Sequence, residues 1–297
     1  MGKLFYFMQI FSPIQQVILP SFQQISIKRD DLIDPFVSGN KWRKLKYILK
    51  DVADQQKTHL VTFGGAYSNH LVATAAAAAR AGLTATAFVR GEKVTNEMLI
   101  ICSLFGMQLI FTDRENYKNK QQLFEQHFGD DTKAYFIDEG GAGEQGVRGC
   151  AEIITELPEK FDHIFVAAGT GTTAAGLLRG INNLELNTHL HVIPVLKGGE
   201  FIRTEIQSYE PKLERLKLHC DYHFGGYAKT TPELLQFTKS FIANTGILID
   251  PVYTAKMCYA IDDLAKQAYF KKDAKILAIH TGGLLGLFGM KEKLAVD

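Results

Sequence analysis

The sequence predicts an α/β fold of two lobes, each built on a parallel-rich sheet. Three observations predict it. Short apolar runs alternate with amphipathic segments across short glycine turns, the pattern of right-handed strand–helix–strand crossovers. That alternation breaks at Asp138-Glu139-Gly140-Gly141-Ala142-Gly143-Glu144-Gln145-Gly146, which reads as an interdomain crossing or a site loop. The 297 residues, 46% of them hydrophobic, suffice for one large or two modest cores.

Taken in order, Ile25-Ser26-Ile27 is a short β-prone run, followed by the charged turn Lys28-Arg29-Asp30-Asp31. Gly39-Asn40 reads as a turn and N-cap before an amphipathic helix with apolar Leu45, Ile48 and Leu49. A strand over 58–63 runs into Gly64-Gly65 and an alanine-rich helix that stops at Gly82. Strands follow at 84–89, 108–111 and 134–137, with helices between them at 96–105 and 114–128. After the break come a helix at 147–157, a strand at 163–167, a helix at 174–181 and a strand at 189–195. Helices are expected at 200–209, 232–245 and 254–270. Residues 216–224 look strand-like, as do Leu248-Ile249, and a last apolar strand spans 276–279.

Lys plus Arg is 33 and Asp plus Glu is 32, so no basic field argues for nucleic acid or an anionic membrane. No small-residue cleavage site follows the apolar stretch 1–11, so no secretory signal is expected, and the apolar run 71–79 is too short to span a bilayer. The cysteines, with no Cys-x-x-Cys pair, read as buried thiols of a cytoplasmic protein. His219 and His223 flank Cys220, but no third ligand cluster accompanies them, so no metal is expected.

Lys41 follows Gly39-Asn40 in the first turn of its helix. The helix dipole disfavours a cation there and favours a neutral, nucleophilic amine. Gly169-Thr170-Gly171-Thr172-Thr173 joins an apolar strand to a helix, and its backbone N–H groups and hydroxyls suit a phosphate. It is not a P-loop. As a dinucleotide fingerprint it lacks the acidic residue a ribose needs, which weakens a nicotinamide-dependent oxidoreductase. Gly64 to His70 is a second glycine-led turn. Ser68 and Asn69 there either meet a carboxylate or simply cap the alanine helix. Tyr227 and Tyr253 lie on loops, as cleft phenols or as packing tyrosines. His280-Thr281-Gly282-Gly283 ends a strand, where α/β folds place ligand-facing groups.

A lysine, a phosphate cradle, a carboxylate cradle and loop hydroxyls together suit pyridoxal 5'-phosphate. From about Lys28 to Gly283 the chain resembles the fold-type II pyridoxal-phosphate enzymes, and within them the 1-aminocyclopropane-1-carboxylate deaminase and D-cysteine desulfhydrase family. Lys28-Arg29-Asp30-Asp31, Gly39-Asn40-Lys41-x-Arg43-Lys44, Ser68-Asn69-His70, Gly169-Thr170-Gly171-Thr172-Thr173, Asp250-Pro251-Val252-Tyr253-Thr254 and His280-Thr281-Gly282-Gly283 carry that resemblance, in this order.

The resemblance implies a tryptophan synthase β-like architecture, with a small lobe over 42–147 and a large cofactor-binding lobe over 1–41 and 148–297. It implies that Lys41 holds the cofactor as a Schiff base, that Gly169, Thr170, Gly171, Thr172 and Thr173 bind its phosphate, and that Asn69 meets the ring 3′ oxygen. Ser68, Asn69 and His70 would face the substrate carboxylate, and Tyr227 and Tyr253 would line the substrate. Thr281 or Thr254 would approach the pyridine nitrogen. The implied reaction is α,β-elimination on a small amino acid in a homodimer. The deaminases resemble Ser-Asn-Gln and Tyr-Glu where this chain has Ser68-Asn69-His70 and Tyr253-Thr254. This favours D-cysteine, giving pyruvate, ammonia and sulfide, over the cyclopropane substrate. A non-catalytic metabolite-binding protein is the competing class, and the intact Lys41 argues against it.

Overall fold

The computed structural model describes residues 10–295. Most of the stretch 1–11, read above for a secretory signal, lies outside the described residues. Two sheets organise the chain. Strands β1 (Ile14–Ile18) and β2 (Gln24–Lys28) form an antiparallel hairpin at one edge of the larger sheet. The later strands β3 (His59–Gly65), β4 (Thr84–Arg90), β5 (Gln108–Thr112) and β6 (Ala134–Ile137) make a separate four-stranded sheet in the order β5-β4-β3-β6, parallel throughout. The chain then returns to the first sheet with β7 (His163–Ala168), β8 (His189–Pro194), β9 (Leu216–Leu218) and β10 (Ile276–Ile279). The order is β1-β2-β10-β7-β8-β9, parallel apart from the hairpin.

The helices are α1 (Asn40–Asp54), α2 (Asn69–Ala81), α3 (Glu97–Leu104), α4 (Lys120–Phe128), α5 (Glu144–Thr155), α6 (Thr172–Asn183), α7 (Phe201–Tyr209), α8 (Pro232–Thr245), α9 (Thr254–Lys266) and α10 (Lys291–Leu294). Separate hydrophobic cores lie on the two faces of each sheet. Ile25, Phe165, Ile193 and Phe241 belong to one, and Val147, Ile164, Leu177 and Ile279 to its opposite. In the smaller sheet, Leu60, Val72 and Ala87 face the α1–α2 side, whereas Val61, Phe63 and Phe88 face α4. Residues alternate between these cores along each strand, as a two-residue period requires.

Several elements differ from expectation. Helix α4 begins at Lys120 rather than near 114, because Asp113 accepts the N–H groups of Glu115 and Asn116 and turns the chain into a 3-10 segment, Asn116–Lys118. Helix α5 begins three residues earlier than predicted, at Glu144. Strand β9 stops at Leu218, and Cys220–His223 forms a 3-10 turn instead of more strand. Leu248-Ile249 is extended but joins no sheet. Among the described residues no helix is long and apolar enough to cross a membrane, and no group of three or more His, Cys, Asp or Glu is arranged for a metal.

The charged motifs near the start of the chain prove to be internal scaffolding. Arg43 is fully buried. Its Nε donates to Asp30 Oδ2 at 3.0 Å and its Nη2 to Asp30 Oδ1 at 2.9 Å, while the guanidinium also pairs with Glu156, the C-cap of α5. Lys28 joins the cluster, 3.2 Å from Glu156 Oε2. This buried network ties β2, α1 and α5 together and fixes the start of α1, where Lys41 sits. Removing one partner of such a pair costs on the order of 3–5 kcal/mol because the other charge stays buried.

Candidate active site

The site forms where the C-terminal ends of both parallel sheets meet, the position at which open α/β sheets gather ligand-facing loops. Its centre is the start of α1. Gly39 has φ +59°, and a Cβ there would stand 1.9 Å from Thr281 O, so only glycine lets this turn lie on the strand end after β10. The Asn40 N–H donates to Thr281 O at 3.2 Å. Asn40 was expected to help cap the helix. Instead its side chain works across the site: Nδ2 donates to Thr173 Oγ1 at 2.9 Å, and Oδ1 accepts from Lys41 Nζ at 3.0 Å. One amide thereby orients the lysine and links it to the Gly-Thr loop.

Lys41 has its pKa lowered to about 7, first by burial and then by the neighbouring Lys44 ammonium. The sequence attributed a weakened basicity here to the helix dipole; the causes in the structure are burial and a like charge. Lys44 lies one turn on and is buried, its Nζ donating to Gly140 O at 2.8 Å. It was not among the predicted site residues. A signal existed: Lys44 extends the buried stripe of Leu45, Ile48 and Val52 by helical spacing. A buried cation whose hydrogen bond goes to a carbonyl suits a nearby anion.

The Gly-Thr loop joins β7 to α6. Gly171 is the N-cap at φ +81°, in the left-handed region, which turns the first N–H groups of α6 outward. Thr172 and Thr173 are buried, and Thr170 and Thr172 share a hydrogen bond at 3.3 Å. A Cβ on Gly169 would lie 3.4 Å from the Tyr253 ring, so that phenol stands over the loop.

Ser68 is the N-cap of α2, accepting from Leu71 N at 3.4 Å, so the capping role is real, and its hydroxyl proton remains available to a ligand. Among the described residues the Asn69 amide makes no side-chain hydrogen bond, and it lies against Gly283 and Gly286. His70 is buried beneath them. Thr62 Oγ1 donates to Ile137 O at 3.0 Å, so it must accept from His70 Nε2, 2.8 Å away. Nε2 therefore carries a proton, and Nδ1 is buried with no partner among the described residues, where a second proton would be unsatisfied. Burial and the two lysines hold its pKa well below the ordinary value.

On the opposite wall the Tyr227 and Tyr253 rings meet edge to face at 6.1 Å. Burial raises the pKa of both phenols, that of Tyr253 well above its ordinary value, so both keep their protons at neutral pH. Thr254 does not face this space. It is fully buried, and its Oγ1 donates to Asp250 Oδ2 at 2.9 Å and accepts from Asp250 N at 2.8 Å. The Thr281 hydroxyl makes no hydrogen bond within the described residues, while its backbone is fixed by His280, whose Nδ1 accepts from Gly282 N at 3.2 Å and whose Nε2 donates to Leu248 O at 2.7 Å.

The donor set fits pyridoxal phosphate. A lysine amine of lowered pKa, a helix N-terminus with hydroxyls and a buried ammonium that suit a phosphate, and an unspent threonine hydroxyl that suits a ring nitrogen are gathered around Asn40 at the start of α1.

Comparison with known proteins agrees. The family model described as "Pyridoxal-phosphate dependent enzyme" matches residues 16–282. A Pyrococcus horikoshii protein provisionally named a 1-aminocyclopropane-1-carboxylate deaminase is 34% identical over 286 residues, covering 91% of this chain and 87% of its own length. A mitochondrial Arabidopsis thaliana protein named bifunctional D-cysteine desulfhydrase/1-aminocyclopropane-1-carboxylate deaminase is 31% identical, covering 93% of this chain and 76% of its own. The crystal structure of a homologue of the cyclopropane deaminase matches with a TM-score of 0.84 at 33% identity, covering 95% of this chain and 92% of its own.

Proposed function

The chain belongs to the pyridoxal-phosphate dependent enzymes, and from that premise we propose that it catalyses α,β-elimination on D-cysteine, releasing pyruvate, ammonia and sulfide. The observation that carries the reading is Lys41, a half-buried amine held by Asn40 Oδ1 with its pKa lowered to about 7, able to take a proton from a substrate Cα. Pyridoxal phosphate, when bound, supplies the electron sink that makes that proton removable. The chain's own residues do the rest. Asn40 Oδ1 orients Lys41 Nζ, and Gly169 to Thr173 with Lys44 hold the phosphate. Ser68 and Asn69 receive the substrate carboxylate on the first turn of α2, where the helix dipole favours an anion. Tyr227 and Tyr253, both protonated, line the side of the departing sulfur and can donate to it. Thr281 would meet the ring nitrogen through a neutral hydroxyl, which would not hold that nitrogen protonated and would keep the sink modest. Thiolate leaves readily, so a modest sink suffices.

The bifunctional name of the plant relative supports opening of 1-aminocyclopropane-1-carboxylate to 2-oxobutanoate as a second reading. The same proposal includes the small lobe over 42–147, which contains all of β3 to β6, with the rest of the chain as the large lobe. A homodimer rests on the family resemblance, and light scattering tests it. Purified holoenzyme is expected to release sulfide and pyruvate from D-cysteine. Release of 2-oxobutanoate from the cyclopropane substrate with no sulfide from D-cysteine would transfer the assignment to the second reading.

A further inference from the structure

Lys256 has no part in the chemistry above, yet it is fully buried in the first turn of α9. A cation there faces the unfavourable end of the helix dipole, and among the described residues no carboxylate stands in ion-pair contact with it, the Asp250 charge acting only from farther off, which adds to the cost of burial. What compensates is a set of backbone carbonyls. Lys256 Nζ donates to His223 O at 2.8 Å, to Gly226 O at 2.8 Å and to Val195 O at 3.3 Å, which uses all three of its protons.

These carbonyls belong to two segments, the end of β8 and the loop that carries Tyr227. That loop is under backbone strain: Phe224 has φ +51° and Ala228 φ +54°, values that L side chains rarely adopt, with Gly225 and Gly226 also positive between them. Its own hydrogen bonds are few. Gly226 N donates to His223 O and Lys229 N to Gly226 O, so the ammonium binds the very carbonyls on which the loop closes. The same face of α9 adds Tyr259, whose ring meets Phe224 edge-on at 4.9 Å, and Asp263, which accepts from Tyr222 Oη at 2.8 Å. The N-cap of α9 is Tyr253 itself. One helix thus carries one active-site phenol and grips the loop that presents the other.

We propose that Lys256 is the positioning residue for the Tyr227 phenol, its ammonium clamping the strained loop 220–229 onto the first turn of α9. This rests on the reading that Tyr227 lines the substrate. A methionine of similar length keeps the packing volume but removes all three ammonium hydrogen bonds, leaving His223 O and Gly226 O only the loop's own N–H groups, so the loop relaxes and the phenol drifts from Tyr253. A misplacement of about 1 Å in such a group costs up to ~100-fold in rate.

The test compares Lys256→Met, Tyr227→Phe and the double variant as cofactor-loaded enzymes, with two independent readouts. Hydrogen exchange by mass spectrometry is expected to rise in peptides covering 220–229 of Lys256→Met and to stay unchanged across β3 to β6. On D-cysteine, kcat is expected to fall about tenfold or more with KM little changed, and adding Lys256→Met to Tyr227→Phe is expected to cost nothing further. Unchanged exchange in 220–229 overturns the clamp. A Lys256→Met loss that multiplies fully with that of Tyr227→Phe overturns action through the phenol. If Lys256→Met does not fold, Lys256→Gln, which keeps a donor, is read by the same criteria. Full activity in Tyr227→Phe would remove the phenol from the reaction, a failure of the functional reading, while the exchange result still judges the clamp.

Discussion

Lys41 shows how a single residue balances stability against chemistry. Its pKa falls from 10.5 to about 7 in the folded chain. Between those values the unfolded chain binds the extra proton, so stability rises with pH across the window and the full penalty applies below its lower end. Lys41→Ala in the cofactor-free protein should therefore raise the melting temperature at pH 7 and below, with a gain that shrinks as pH rises. It should also abolish the borohydride-reducible bond to the cofactor. A reducible bond that persists in the variant would move the attachment elsewhere, and an unchanged melting temperature would show that the buried amine costs nothing. The sequence pointed to this lysine through Gly39-Asn40 but attributed its neutrality to the helix dipole, since the burial that lowers its pKa is a tertiary fact. It grouped Thr254 with Tyr253 for a similar reason. Nothing in Asp250-Pro251-Val252-Tyr253-Thr254 reveals that the Asp250 carboxylate folds back to accept the N–H groups of Val252, Tyr253 and Thr254 and consumes the threonine hydroxyl.

At the scale of elements, the loop between β7 and α6 is the sharpest case. Gly171→Val must adopt φ +81°, which costs a residue with Cβ about 1–2 kcal/mol, and its Cβ would stand 3.3 Å from Glu205 Cβ. The fold should survive with near-native circular dichroism, while the first N–H groups of α6 lose their aim and the cofactor washes out on dialysis. Full retention of cofactor after dialysis would place the phosphate somewhere other than this loop. Elements with strong local punctuation were legible. Thr231-Pro232 opens α8 and Gly246 closes it, and the predicted 232–245 is the observed span. Elements shaped by side-chain to backbone competition were not: Asp113 delays α4, and the hairpin strand β1 escapes notice because Gln15 and Gln16 interrupt its apolar alternation. Lys256 was equally hidden, since a lysine near a helix start looks solvated until the carbonyls it holds are brought to it by the loop after β9.

Across the whole molecule the large sheet does two kinds of work. The C-terminal ends of its strands gather the proposed site, while a row of histidines that the sequence scatters over His163, His189, His191 and His219 crosses one face from the start of β7 and β8 to the residue after β9. His163 Nδ1 meets His191 Nε2 at 2.9 Å, and His191 Nδ1 meets His219 Nε2 at 2.9 Å. Each contact needs one N–H and one bare nitrogen, so a proton added to His191 sets N–H against N–H. His191 is fully buried, stacked on Phe165 at 4.3 Å, with Lys217, Tyr269 and His189 around it. Burial first, then the neighbouring histidines and Lys217, push its pKa far below 6.5, and His163 and His219 are lowered as well. The unfolded chain therefore binds more protons below about pH 6.5, and stability falls as pH drops through that value. The paired carboxylates Asp34 and Glu156, held low by Arg80 and Arg43, lose their contribution only in a separate window below about pH 4. His191→Phe keeps a ring against Phe165 and removes the most buried base of the row. Its melting temperature at neutral pH is expected to be lower, because His163 and His219 lose a partner, but the decline between about pH 6.5 and pH 5 should be shallower than in the unmodified protein. Melting curves at closely spaced pH values decide it: parallel declines in the two proteins would mean that the acid sensitivity of the fold arises outside the histidine row.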